Sequence, residues 1–468
     1  LKYRLYTSYQ SKLADTQTPV SMYLQLRDHF ANCMLLESSD YHGSDNSFSY
    51  LCFDPLAGIE VHNGVINCTF PDGSHQQYEA TRESVLPRLV EFANCFETDA
   101  PQFKFITNGL FGYMGYDAVQ YFEDIALDQQ KPQDFNIPDI VYRVYRYVIA
   151  IDHFKNEMHL FEFNDQQDFK PKLDEVLNLI NNRNYAGYHF KSNGAETSNF
   201  TDNEFLEILE QGRAHCLRGD VFQMVLSRRF KTDFTGDEFN VYRSLRSINP
   251  SPYLFYFDYG NFKIFGSSPE AQIVIKNGEA VIHPIAGTFA RTGNDQADAE
   301  LAEQLSADIK ENSEHVMLVD LARNDLSRNS QQVTVETFKE VQFFSHVIHL
   351  VSKVKGELSS QVSPITVVAD TFPAGTLSGA PKHMAMTLID QYESVTRGYY
   401  GGAIGFMGFN GDFNHAIMIR SMLSKDGSLF YQAGAGVVAK SVAQSELEEV
   451  NNKLAALRQA ITRASDIG

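Results

Sequence analysis

Two distant stretches of the chain read almost alike: GLFGYMGYD at 109–117 and GAIGFMGFN at 402–410. Gly109, Gly112, Met114 and Gly115 match Gly402, Gly405, Met407 and Gly408. Glycine alternating with bulky apolar residues suits strands whose backbones approach closely. The echo is either a chance repetition or a duplicated sheet unit, one copy in each half.

The rest reads as mixed helix and antiparallel strand. Asn63-Gly64, Asn277-Gly278 and Asp426-Gly427 between apolar runs predict hairpins. The stretch 253–285 predicts a meander, and helices are expected at about 203–218, 296–325, 380–391 and 445–463. With 468 residues, the prior is two to four units, or one large intertwined body. The segment 186–202, AGYHFKSNGAETSNFTD, is polar and without periodicity. It is read as a linker between an N-terminal region, 1–185, and a C-terminal region, 203–468.

A net charge of −20 with no basic patch argues against nucleic acid. An anionic substrate would then need local cations, backbone N–H groups or a metal to hold it. The five cysteines are widely spaced without a C-x-x-C pair, which disfavours structural zinc and a disulfide framework. No stretch reaches about 18 apolar residues, and the opening LKYRLYTSYQSKLADTQ has no apolar leader core. No membrane association and a cytoplasmic setting are the expectation.

Five features bear on chemistry. Glu311 and Glu314 share a helix face at i, i+3. Ser445 is read as an N-cap with Glu448 completing a capping box, after which Glu446, Glu449 and Lys453 share a face. Two such carboxylate pairs suit a hard cation such as magnesium, although Glu-rich faces are more often merely solvated. Gln432–Val437, QAGAGV, leaves backbone N–H groups available for an anion or forms a tight turn. Arg420 on the preceding strand could fork a carboxylate. FPAGTLSGAPK at 372–382 lacks the Gly-Lys-Ser/Thr ending of a phosphate loop. His346 and His349 lie in an apolar run, where most histidines are core residues.

Together these segments resemble the chorismate-utilising enzymes, which include anthranilate, aminodeoxychorismate, isochorismate and salicylate synthases. The resemblance runs through DVFQMVLSRRF (220–230), NPSPYLFYF (249–257), GSSPE (266–270), HPIAGTFARTG (283–293) and DIKENSEHVMLVDLARNDL (308–326). It continues through FFSHVIHLVSKVKGEL (343–358), DTFPAGTLSGAPK (370–382), RGYYGGAIGF (397–406), QAGAG (432–436) and ELEEVNNK (446–453). The N-terminal half contributes MLLESS (34–39) and GLFGYMGYDAVQYFE (109–123).

The resemblance implies an α+β sandwich of mainly antiparallel sheets with flanking helices, its two parts intertwined around a cleft. It implies Mg²⁺ held by Glu314 and Glu449, with Glu311 and Glu446 as neighbours. Chorismate would lie against Arg420, Gly434, Ala435, Gly436, Lys453, Tyr400, Gln223 and the Ala286-Gly287-Thr288 segment. Glu270 matches the family's general acid and His349 its active-site histidine, with Thr376 beside them in the catalytic group.

Two positions sort the reactions. Isochorismate and salicylate synthases carry a Lys base where this chain has Gln223, which disfavours water as nucleophile. Many aminodeoxychorismate synthases carry a Lys nucleophile where this chain has Ala286, which leaves room for ammonia itself. The anthranilate synthase large subunit is therefore expected. Aminodeoxychorismate synthase and a non-catalytic tryptophan sensor are the alternatives. Glu37, Ser38 and the run Asn249, Pro250, Ser251, Pro252, Tyr253 and Leu254 resemble a feedback site for L-tryptophan. Leu254 stands where Met is frequent, and Ser47 where Arg is common. No G-x-C-x-G nucleophile elbow occurs, so glutamine would require a separate glutamine amidotransferase subunit.

Overall fold

The strands Phe48–His62 and Ile140–Asp152 pair antiparallel along their length, and the other strands assemble along them. A bulge between Pro55 and Ala57, next to Asp54 at φ 59°, bends this pair midway. Before the bend, Met34–Glu37 and Glu157–Asn164 flank it; beyond the bend, Val65–Thr69 and Gly109–Met114 do. The computed structural model describes residues 2–38, 47–128, 130–132, 134–182, 184–343 and 347–467. It is built on two large sheets that share the strands Phe48–His62 and Ile140–Asp152.

The first sheet continues from Met34–Glu37 through Tyr253–Asp258, Phe262–Ser268, Ser421–Lys425 and Ser428–Val438 to Gln223–Gly236. The second continues from Gly109–Met114 through Ala403–Gly408, Phe413–Ile417, Ala271–Lys276 and Glu279–Ile282 to Val347–Leu358. Ile285–Ala290 and Ser330–Phe343 pair with that last strand. All these pairings are antiparallel.

Side chains alternate as a sandwich requires. On Tyr253–Asp258, Phe255 and Phe257 enter the core between the sheets, while Leu254 and Tyr256 face a second core under the helices. Tyr50 meets Phe111 and Phe406 across the first core, with ring centroids 6.1 and 5.5 Å away. The helices Asp202–Arg218, Phe239–Ile248, Lys382–Tyr392 and Ala443–Ala464 bury Phe205, Tyr242, Leu388 and Leu454 in the second.

The two echoing segments are neighbours. Gly109–Met114 pairs antiparallel with Ala403–Gly408, placing Gly112 opposite Gly405 and Gly109 opposite Gly408. A Cβ on Gly112 would sit 1.8 Å from the Val141 carbonyl oxygen, and one on Gly405 2.1 Å from that of Asn414. Only glycine admits that spacing. The repeat is thus a local two-fold arrangement at the middle of the second sheet.

Asn63-Gly64, Asn277-Gly278 and Asp426-Gly427 all take positive φ at both residues, as the hairpin reading requires. The five cysteines are buried free thiols. Three local expectations change. The helix expected over 296–325 is two helices, Asp295–Ala307 and Ile309–Ser327. Asp308 separates them, because its extended backbone lets its carboxylate cap the Glu311 N–H at 2.9 Å. The last helix starts at Ala443 with Val442 as N-cap, so Ser445 lies inside the first turn and caps nothing. The linker stretch contains a strand, Phe190–Ser198, paired with Gln223–Gly236. It reads as polar because most of its side chains are exposed at a sheet edge.

Substituting Gly112→Ala is expected to destabilise the protein by at least about 2 kcal/mol, whereas Gly187→Ala, which meets no atom within 4 Å, stays within about 0.5 kcal/mol. Denaturant melts of both variants check this.

Candidate active site

The chain passes between the two sheets twice at one place. Phe262–Ser268 of the first sheet leads through Pro269 and Glu270 into Ala271–Lys276 of the second. Phe413–Ile417 of the second leads through Met418, Ile419 and Arg420 into Ser421–Lys425 of the first. The crossings are laced together: Ile417 N–H donates to the Glu270 carbonyl at 2.9 Å, and Ser267 N–H to the Arg420 carbonyl at 3.1 Å. Arg420 turns the corner at φ 50°. A carboxyl and a guanidinium are thereby fixed side by side in backbone terms.

Burial pushes the Glu270 carboxyl up to about 7, against a hydrogen bond from the Thr376 hydroxyl and the Lys453 charge, which both pull it down. Thr376 Oγ1 donates to Glu270 Oε1 at 3.0 Å. An acid half-protonated near neutrality is suited to giving a proton to a leaving oxygen.

The QAGAG segment is an extended strand rather than a turn or a curled nest. Beyond Tyr431 it pairs only with Gln223–Gly236, so its other edge is open. Val225, opposite Gly436, donates its N–H to the Ser378 carbonyl instead, which marks a non-hydrogen-bonded pair and turns Gly436 N–H to the open edge. Gly434 shares that edge: its carbonyl accepts from Lys453 Nζ at 2.8 Å, and its N–H engages the Tyr400 hydroxyl. Ala435 faces the other way, buried in the core beneath the helices.

Burial pushes the Tyr400 hydroxyl up to about 12, with Arg397 and Arg420 pulling it down. Burial also lowers Arg420, with Tyr400 and Glu449 opposing. Among the described residues Arg420 makes no side-chain hydrogen bond or ion pair. Arg397, in contrast, is fully committed. It pairs with buried Glu393 at 2.6 Å and donates to the carbonyls of Leu377 and Val225. Its guanidinium lies over the Tyr116 ring, 4.6 Å from the centroid.

Glu314 on Ile309–Ser327 accepts from Gln223 Nε2 at 2.7 Å, and a Cβ on Gly436 would lie 3.7 Å from its Oε1. Glu449 on the last helix pairs with Lys453 at 2.5 Å. Both therefore adjoin the Gly434–Gly436 edge, from two helices. Glu446 is buried one turn before Glu449. Glu311 lies beside Gly287, whose added Cβ would come within 3.3 Å of its Oε2. No three acidic, imidazole or thiol groups gather into a cage among the described residues. The donor set still fits magnesium, which takes one or two carboxylates and fills the rest of its shell with waters and substrate oxygens. Gly436, lacking a side chain, leaves room for the Gln223 amide beside Glu314.

His349 on Val347–Leu358 is opposite Thr288 on Ile285–Ala290. Its Nδ1 is 2.8 Å from the Gly287 carbonyl. A carbonyl only accepts, so Nδ1 carries the hydrogen and Nε2 is the basic nitrogen. Burial holds this imidazole below its ordinary range, helped by Arg420 and opposed by the Gly287 bond. Ala286 is buried opposite Leu350, and the Thr288 side chain and all of His346 lie outside the described residues. His315, the residue after Glu314, bonds Ser352 at 2.6 Å inside the core and is pushed down to about 4 by burial. Lys382 of the Gly-rich turn is tied to Asp325 at 2.7 Å.

The second group of expected residues forms a separate cluster. Glu37 pairs with Leu254 across neighbouring strands. Its buried carboxylate accepts from the Tyr242 hydroxyl at 2.6 Å and from Arg246 at 2.9 Å. Ser38 offers its carbonyl to the Ser47 hydroxyl at 3.3 Å. Asn249 caps the C-terminus of Phe239–Ile248, its side chain 3.5 Å from Ser251 Oγ, and its carbonyl accepts from Ser267. Pro250, Pro252 and Tyr253 are half-buried around buried Ser251 and Leu254. Sequence reasoning missed Arg397, Glu393, Tyr242 and Arg246. Arg246 was legible only as a helix-face cation, and Arg397 only through the RGYYGG motif.

Fold and site together define an enzyme class. Residues 32–459 match the chorismate binding enzyme family, and the chain belongs to it. Anthranilate synthase component 1 of Acetivibrio thermocellus is 34% identical over 97% of this chain and 94% of its own. That of Neisseria gonorrhoeae is 37% identical over 96% and 94%. The crystal structure of anthranilate synthase component I from Streptococcus pneumoniae TIGR4 superposes with a TM-score of 0.79 at 33% identity, over 96% of this chain and 99% of that one.

The raised Glu270 has a thermodynamic signature. Between about pH 4.5 and 7 the folded state binds more protons than the unfolded one, so Glu270 makes stability fall as pH rises. Glu270→Gln is expected to be more stable than the parent by about 1–3 kcal/mol at pH 8, and to lose that advantage at pH 4.5. Thermal melts at the two pH values check this.

Proposed function

We propose that this chain is the large subunit of an anthranilate synthase, converting chorismate and ammonia to anthranilate and pyruvate. The observation that carries the reading is Glu270, a half-buried acid pushed up to about 7 by desolvation, beside Thr376 and next to the Arg420 crossing. Arg420, the Gly434 and Gly436 edge, Lys453 and Tyr400 would hold the substrate carboxylates in an otherwise acidic protein. Glu314 and Glu449, with Glu311 and Glu446 adjoining, would hold Mg²⁺, which supplies charge for the ring carboxylate when bound.

The residues divide the reaction. Glu270 gives its proton to the C4 hydroxyl, which leaves as water as ammonia bonds to C2 and the double bonds shift. His349, basic at Nε2, takes the C2 proton in the second step. The C3–O bond then breaks, the ring becomes aromatic, and the departing enolpyruvate takes up a proton at its methylene carbon to leave as pyruvate. Gln223 offers no base to activate water, and buried Ala286 offers no amine of its own, so ammonia is the nucleophile. With no glutaminase elbow in the sequence, a glutamine amidotransferase subunit would supply it. The Glu37 and Asn249–Leu254 cluster would take L-tryptophan as inhibitor, with Glu37 meeting its amino group. A cytoplasmic setting is part of this reading. No helix among the described residues is long and apolar enough to cross a membrane.

Purified chain with chorismate, magnesium and an ammonium salt at alkaline pH is expected to release anthranilate, seen by its blue fluorescence, with one pyruvate each. Aminodeoxychorismate accumulating in its place would overturn the assignment. Glu270→Gln is expected to lower kcat by about 10²–10⁴-fold, and Glu449→Ala to abolish turnover. Activity surviving in the latter with the same magnesium requirement would reject the metal assignment. Glu37→Ala should relieve tryptophan inhibition, read as a rise in the inhibitory concentration with unchanged kcat.

A further inference from the structure

The amide of Gln223 is 3% exposed and half used. Its Nε2 donates to Glu314 Oε1 at 2.7 Å. A carboxylate Oε accepts this bond, which fixes which end of the amide is nitrogen. The other end, Oε1, is shut away from solvent and has no hydrogen-bond partner among the described residues. Buried acceptors are normally satisfied, so an orphan in a candidate active site points to a ligand that brings a donor. The space around it is set by glycine: a Cβ on Gly436 would come within 2.5 Å of Gln223 Nε2.

Resting on the amination reading above, we propose that Gln223 Oε1 is the ammonia-binding group, accepting one N–H of the nucleophile while its lone pair remains directed at the ring. Three properties suit that role. The acceptor is neutral, so it does not protonate ammonia and quench its lone pair, as an acid near neutrality would. The amide is anchored at its nitrogen by Glu314, so the oxygen is oriented before ammonia arrives. The same anchor ties it to a helix carrying proposed metal ligands, which places the nucleophile's holder in register with the substrate's. No bond is made or broken at Gln223; it positions the nitrogen and releases it to C2.

The test separates this role from mere support of Glu314. Gln223→Met and Gln223→Leu remove the acceptor. Gln223→Glu retains an acceptor oxygen but sets a second carboxylate against Glu314. KM for ammonia is measured at saturating chorismate and magnesium, with chorismate affinity titrated separately and a melting curve for each variant. If Oε1 binds ammonia, the Met or Leu variant raises KM for ammonia by about tenfold or more, the loss of one hydrogen bond. Chorismate affinity then stays within about twofold and Gln223→Glu is the milder change. If Gln223 only supports Glu314, the order reverses: Gln223→Glu is the worst variant and chorismate affinity falls in step. That order, or an unchanged KM for ammonia in the folded acceptor-free variants, overturns the proposal. A parent chain that does not aminate chorismate would instead refute the function on which it rests.

Discussion

Two polypeptide crossings between the sheets, at Pro269–Glu270 and at Met418–Arg420, decide where chemistry can happen in this molecule. A strand that leaves one sheet and enters another exposes its turning residues at the seam. Here two such seams are hydrogen-bonded to each other through Ile417 to Glu270 and Ser267 to Arg420. The acid and the guanidinium therefore come from rigid backbone on both sides, not from loops. The bend shared by Phe48–His62 and Ile140–Asp152 sets the two sheets in the relation that lets the seams meet.

Charge is placed by the same logic. Of the two arginines near the seam, buried Arg397 is neutralised by Glu393 and carries carbonyl bonds on both sides. A buried pair of this kind holds structure in place without offering charge to a ligand. It ties the Leu377 turn, next to Thr376, to Val225 on the strand that carries Gln223. Arg420 keeps its charge uncommitted among the described residues. An acidic chain can thus present cationic character at one point, because one arginine is bound by its neighbours and the other makes no side-chain bond among the described residues.

Much of this was legible in the sequence where spacing alone determines geometry. Asn-Gly and Asp-Gly pairs named the hairpins. Motifs named Glu270, His349 and Arg420. What could not be read was anything set by tertiary partners. The break at Asp308 depends on a cap that competes with continuous helical pattern. The strand within 186–202 has no apolar alternation because its side chains face water. The raised acid at Glu270, the tautomer of His349 and the idle oxygen of Gln223 each depend on a neighbour far away in the chain.

The pairing of Gly109–Met114 with Ala403–Gly408 has a consequence for synthesis. Its two partners leave the ribosome more than half a chain length apart, and the second sheet cannot close until the later one emerges. Until then, Gly109–Met114 presents an unpaired edge rich in apolar side chains. Nascent chains of this protein therefore wait in a partly open state, dependent on dilution or on a chaperone, for most of their translation.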